Sequence, residues 1–260
     1  MRNIWEKCNN PVFVHIGIKD IADLPVLRPM AGLKPKANTG LQNLQRSYMP
    51  NSQTISPQDI ESRSMAIIDR EVPEPRPFSS RQWPVVRRMI HASADFELLS
   101  LVCFHPQAIQ AGITALSQGC KVVTDTRMAR AGITQARMQR LGCRVECLLD
   151  QPGVDEKAAQ RGMTRSAAGM EQAVVSDTKT IFVIGNAPTA LFSLIQAMQD
   201  GVGKAELIVG MPVGFVGAAE SKEALVQISN VPWITITGRK GGSPLAAACV
   251  NALAEMALTI

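Results

Sequence analysis

From Ser56 onward the apolar positions follow two periods in turn, helical first and then alternating between strand and helix. "SPQDIESRSMAIIDREV" (56–72) spaces its apolar residues along one helical face. It opens with a serine, a proline at the first helical position and an aspartate three residues after the serine, which is a capping arrangement. A Pro-rich loop follows, "VPEPRPFSS". The next helix runs through "RQWPVVRRMIHAS" (81–93), with Ser80 expected as its cap and Pro84 tolerated in the first turn. "HPQAIQAGITALSQG" (105–119) is a third helix, with His105 as its N-cap and Gly119 at its end.

Beyond Gly119 short apolar runs alternate with helical segments. Strands are predicted at 121–125, 143–149, 180–185, 205–210 and 232–238, with a helical stretch after each, the last at 243–258. Five apolar strands separated by helices predict an α/β fold: a single domain with a mostly parallel sheet and helices on both faces. Residues 1–48 are rich in Pro, Asn, Gln and Lys and show no sustained period. They are expected to form a poorly ordered N-terminal extension, with "PVFVHIGI" (11–18) as a candidate docked strand, and 49–260 the folded domain, with Met49 as its candidate start.

Composition changes this picture little. Hydrophobic residues make up 46% and charged residues 19%, enough for a full core, and at 4% aromatics that core must be aliphatic. No apolar run approaches the roughly 20 residues that span a bilayer, and no signal-peptide pattern opens the chain. A cytoplasmic protein is expected. The net charge of +5 suggests nucleic acid until it is located. Residues 1–48 hold seven Lys/Arg against three Asp/Glu, and the remainder holds twenty against nineteen. No basic stretch interleaved with aromatics is present, so no nucleic-acid partner is expected. The six cysteines include no C-x-x-C pair and read as buried reduced thiols, so no metal site is expected.

In an open parallel sheet, ligands bind outside the carboxyl ends of the strands. Four loops answer to that description: "TDTRM", "GNAPTA", "GMPVGFVGAAES" and "GRKGGSP". They offer backbone N–H groups and helix N-termini to anions, and the last adds Arg239 and Lys240. A nucleotide-dependent enzyme is the rival reading. It lacks both the G-x-G-x-x-G and the G-x-x-x-x-G-K-[ST] fingerprints, and "GVGKAE" (201–206) precedes a strand instead of following one. "VVRRMIHASADFEL" holds His91, with Arg87 and Arg88 four and three residues before it and Asp95 four after. A histidine so placed can exchange a proton with an acidic ligand, with Asp95 orienting the ring if the helix continues past it. His15 and His105 carry no such company and are given structural roles.

The segments "RSMAII", "RRMIHAS", "TRSAA", "IGNAPTALF", "VGMPVGFVGAAESKEAL" and "TGRKGGSPLAAACVNAL" resemble the precorrin-8X methylmutase family, including its cobalt-precorrin-8 form. The likeness runs from about Pro57 to Leu258. It implies an α/β isomerase of vitamin B12 biosynthesis, a homodimer without a cofactor, that moves a methyl group from carbon 11 to carbon 12 of a corrin ring. It places the catalytic role on His91 and implies substrate contacts at Ser64 and Arg88. Further expected contacts are Thr164, Arg165 and Ser166 of the "TRSAA" segment, Asn186 and Arg239. Arginines suit the acetate and propionate groups of such a substrate. The alternative is a corrinoid-binding protein without catalysis, against which the retained His91 speaks. The chain departs from the family pattern at Met163, at Arg127 and Arg130, and in the extension.

Overall fold

A computed structural model of the chain describes residues 56–259. The expected extension at 1–48 and the strand within it lie outside the described residues. Eleven α-helices and six strands are described. Helix α1 (Pro57–Glu71) begins as the sequence implies, with the Ser56 hydroxyl accepting from the Asp59 amide at 3.1 Å. Helix α2 (Trp83–Ser93) begins later than expected. Its N-cap position is Gln82, with no side-chain cap bond, and the turn leading in is closed by Ser79, not Ser80: the Gln82 amide donates to the Ser79 hydroxyl, and the Ser79 amide donates to the Gln82 side chain. This reciprocal pair satisfies donors at the helix head, and it needs a three-residue spacing that Ser80 does not have.

A four-residue helix α3 (Leu98–Leu101) then leads into β1 (Val102–Phe104). After α4 (Ala108–Ser117) come β2 (Lys121–Thr124), α5 (Arg127–Gly132), α6 (Gln135–Arg140) and β3 (Arg144–Cys147). The helix α7 (Val154–Arg161) and α8 (Arg165–Ala173) precede β4 (Thr180–Ile184) and α9 (Pro188–Gln199). The chain closes with β5 (Leu207–Gly210), α10 (Ala218–Val226), β6 (Trp233–Ile236) and α11 (Ser243–Ala257).

The strand order is β1-β6-β5-β4-β2-β3, parallel except for β1 on β6. The five predicted strands are all present, and β1 is a sixth, unpredicted one at the antiparallel edge. Side chains alternate between two cores, as a strand period of two requires. Ile181 and Val183 face one side with α2, α4 and α11, while Phe182 and Ile184 face the other with α8, α9 and α10. From β2 the chain steps outward to β3 and then returns past β2 to β4. The strand order thus reverses between β2 and β4, where open α/β sheets form their binding crevice.

Helix α11 is the central packing element of the first core. Its alanines at 246, 247, 248, 252 and 254 are buried, and such small side chains let neighbouring backbone come close. Its amino end is pressed against the end of β4. A methyl group on Gly185 would lie 2.6 Å from the Ser243 Cα and 2.7 Å from its backbone nitrogen. No helix among the described residues is long and apolar enough to cross a membrane. Because the crowding atoms at Gly185 are backbone, they cannot rotate away. Gly185→Ala should therefore lower unfolding free energy by about 2 kcal/mol, the usual scale of overpacking. Urea denaturation measures this, and a loss under about 0.5 kcal/mol would mean that α11 has room to move.

Candidate functional site

The four loops named from the sequence all lie at the carboxyl edge, because β2, β4, β5 and β6 run parallel. They are laced to one another. At the end of β2, Asp125 is fully buried and its carboxylate accepts three backbone amides, from Gly185 at 2.9 Å, Asn186 at 2.7 Å and Ala187 at 2.7 Å. These bonds span the reversal between β2 and β4. Burial pushes the Asp125 carboxyl above its ordinary pKa, and the three amides oppose this by favouring the ionised form. The adjacent Thr126 hydroxyl caps α5 and meets the Ser243 hydroxyl at 2.7 Å, joining the β2 loop to the head of α11. The Gly242 amide donates to the Met211 carbonyl at 2.9 Å, and the Gly214 amide to the Arg239 carbonyl at 3.2 Å. The loops after β5 and β6 are thereby fastened together.

Thr164 caps α8, and its hydroxyl lies 2.7 Å from that of Thr189 in the first turn of α9. This brings the "TRSAA" segment to the "GNAPTA" loop. Thr164, Arg165 and Asn186 are exposed and Ser166 is half-buried. Arg165 is ion-paired with Asp155. Arg239 is exposed and its guanidinium lies 5.5 Å from the ring centroid of Phe215. Arg127 and Arg130 both pair with Asp150, at 2.7 and 3.0 Å. Met163 is half-buried and packs among Val154, Ala158 and Ala168, an apolar role.

His91 is exposed on the last turn of α2, and among the described residues its ring makes no hydrogen bond or ion pair. The helix ends at Ser93 with Ala94 in the left-handed region at φ 52°, so it does not continue past Asp95. Asp95 consequently does not orient the imidazole. It bonds instead to Lys240 of the β6–α11 loop at 2.6 Å, and Glu97 bonds to the same ammonium at 2.5 Å. These bonds hold the Asp95 carboxyl below its ordinary pKa and raise that of Lys240. The end of α2 is therefore tied directly to the carboxyl edge.

Ser64 and Arg88 lie elsewhere. The Ser64 hydroxyl donates to the Ile60 carbonyl at 2.8 Å within α1. Arg88 pairs with Glu61 at 2.5 Å and with Glu255 of α11. It lines a cleft of about 510 Å³ with Glu61, Arg87, Arg137 and Glu255, between α1, α2 and α11. Arg87 is paired with Asp69. Glu255 and Ser243 stand twelve residues apart on α11, about 18 Å along the axis at 1.5 Å per residue. The predicted residues thus form two groups. Ser64 on α1 and Arg88 in the helical cleft lie on one side, and Thr164, Arg165, Ser166, Asn186 and Arg239 at the carboxyl edge. His91 lies one turn beyond Arg88 on the helix that connects them.

Two residues escaped the sequence reading. Asp125 follows an apolar strand as many loop aspartates do, and its partners are sixty residues away. Lys222 sits on α10 with 1% exposure. Its place between Ala218 and Leu225 on the apolar stripe was the available signal. No group of three or more His, Cys, Asp or Glu is arranged to hold a metal ion among the described residues.

In open α/β enzymes, glycine-rich loops and basic side chains gathered at the carboxyl edge of the sheet are the kind of place that takes an acidic small molecule. The precorrin-8X methylmutase family model matches residues 59–256. The chain is 44% identical over 204 residues to the cobalt-precorrin-8 methylmutase of Priestia megaterium, covering 78% of this chain and 90% of that protein. It is 41% identical over 200 residues to the precorrin-8X methylmutase of a Sinorhizobium species, covering 76% of this chain and 94% of that protein. The solved precorrin-8X methyl mutase of Thermus thermophilus superposes with a TM-score of 0.70 at 40% identity, over 77% of this chain and 98% of that one. The chain belongs to the precorrin-8X methylmutase family, isomerases of corrin biosynthesis.

Asp125→Ala would leave three amide donors, two of them buried, without an acceptor. Each buried unsatisfied donor costs about 1–3 kcal/mol, so the variant should lose on the order of 3 kcal/mol in urea denaturation at neutral pH. A loss under about 1 kcal/mol would show that the turn after β4 holds its shape without the carboxylate.

Proposed function

We propose that this protein moves the methyl group from carbon 11 to carbon 12 of precorrin-8X or its cobalt-bearing form, giving hydrogenobyrinate or cobyrinate. The shift is intramolecular: the methyl leaves one ring carbon and bonds to its neighbour, and nothing is gained or lost. No nucleophile is required. A proton, or a hydrogen bond, at a ring nitrogen draws electrons through the conjugated ring and eases the migration. His91 supplies it.

The observation that carries this reading is the free imidazole of His91, exposed at the end of a helix whose other basic groups are engaged. Arg87 and Arg88 are matched by carboxylates, so the histidine is the group on this face left to meet a ligand. The acidic fringe of the macrocycle is met by Arg239, Arg165 and the amide-rich loops. For Arg165 a substrate carboxylate exchanges for Asp155. Exposed surface pairs of this kind are weak, with a median near 0–1 kcal/mol, so the exchange is easy where the pair is solvated.

The working unit in this reading is a homodimer. Phe215 and Val216, at 83% and 89% exposure, stand with Val213 on the loop after β5. A second copy would cover this apolar cluster beside the site.

His91→Ala should bind the substrate but convert it 10²–10⁴-fold more slowly, the usual contribution of a positioned general acid. Visible absorption follows both steps. Conversion at the parent rate would move the proton source elsewhere, and a parent protein that binds without converting would favour a carrier role.

A further inference from the structure

Lys222 is a buried cation with no carboxylate beside it. It sits in the second turn of α10, its side chain 1% exposed. Its ammonium donates to one group, the backbone carbonyl of Lys240, at 2.5 Å. Among the described residues it forms no ion pair. An ammonium has three protons to donate, and taking it out of water without a counter-charge is costly. A lysine serving only to pack α10 would be better replaced by methionine. Its presence on an apolar stripe points to a task.

The task is legible in what Lys222 holds. The β6–α11 loop contains Gly238, Gly241 and Gly242 with φ of 70°, 158° and 124°. Such a loop has little intrinsic shape, since glycine visits these conformations freely. It must be fixed from outside. Lys222 fixes it from beneath at the Lys240 carbonyl. From above, the Lys240 side chain reaches Asp95 and Glu97 just past the end of α2. Arg239 is the neighbouring residue. One short stretch of backbone therefore sets a substrate-facing guanidinium and is tied to the helix end that presents His91.

We propose that Lys222 is a positioning residue of the methyl-shift site, holding the β6–α11 loop so that Arg239 and the His91 end of α2 are set for one acidic macrocycle. The inference rests on the function proposed above. The buried ammonium also adds positive potential beneath an edge that takes carboxylates.

Burial lowers the Lys222 pKa to about 8. Its surroundings offer little else that titrates. Glu220 and Glu223 on α10 are exposed. The packed elements α9, β5 and β6 carry no titratable side chain. The loop contributes Arg239 and Lys240, the latter turned toward Asp95 and Glu97. The lysine is charged below pH 8, where the bond to the Lys240 carbonyl is strongest, and loses its proton above. A bound polycarboxylate favours the charged form, so affinity should fall as pH rises through about 8.

The test compares the parent with Lys222→Met, a substitution of similar length without charge, and uses Lys204→Met at an exposed position as control. Hydrogenobyrinate is titrated by visible absorption from pH 6.5 to 9.5, with circular dichroism confirming the fold, and conversion of precorrin-8X is assayed separately. The expected result is a folded Lys222→Met whose Kd at pH 7 is raised about tenfold and is flat with pH. The parent and Lys204→Met should both weaken above pH 8. A folded Lys222→Met with the parent's Kd and the parent's alkaline limb would overturn the proposal. If Lys222→Met does not fold, a parent Kd that is flat through pH 9.5 overturns it and an alkaline limb upholds it. A parent that binds hydrogenobyrinate but converts nothing would sink the methylmutase reading alone, and the Kd comparison would still judge Lys222. A parent that does not bind it sinks both.

Discussion

Three backbone amides, at Gly185, Asn186 and Ala187, turn inward onto the single buried carboxylate of Asp125, and the carboxyl edge of the sheet is organised around that contact. Desolvating a carboxylate costs several kcal/mol, which only short charge-assisted bonds can offset. The bonds join the ends of β2 and β4 where the strand order reverses, so the crevice that the topology opens is held at a fixed width. The same turn places Gly185 against the head of α11, and Thr126 beside Asp125 reaches Ser243. The starting positions of α5, α9 and α11 all follow from this one arrangement.

A second set of polar contacts extends the edge to α2. Lys240 links the β6–α11 loop to Asp95 and Glu97, and α2 itself packs along α11. Arg88 near one end of α11 and Lys240 before the other show that the two helices run antiparallel. His91 falls between these anchors with an unengaged ring. The two arginines that precede it in sequence are occupied by Asp69, Glu61 and Glu255. The chain thus separates charge that builds the fold from charge that is free to meet a ligand.

Much of this was legible in the sequence, and what was not has physical causes. The parallel strands announced themselves as short apolar runs between helices, and the Ser56 cap by its spacing. The strand Val102–Phe104 did not, because "LSLVCF" is one short, mostly apolar run in which a single helical turn gives way to three strand residues. Periodicity cannot divide so short a run. The carboxyl-edge loops were located by the general rule for parallel sheets, yet the residue that binds them, Asp125, was invisible because its partners are sixty residues distant. Asp95 would stand beside His91 only if the helix continued past it. Ala94 in the left-handed region ends the helix first and sends that carboxylate to Lys240.

The central claim is that His91 and the carboxyl-edge loops serve one bound macrocycle. The most direct measurement is a crystal structure of this protein with hydrogenobyrinate. The account predicts the ring across the edge of β2, β4, β5 and β6, a His91 nitrogen within about 3 Å of the macrocycle's nitrogens, and Arg239 on a peripheral carboxylate. A macrocycle seated wholly in the cleft of Glu61, Arg88, Arg137 and Glu255, with His91 still facing water, would contradict it.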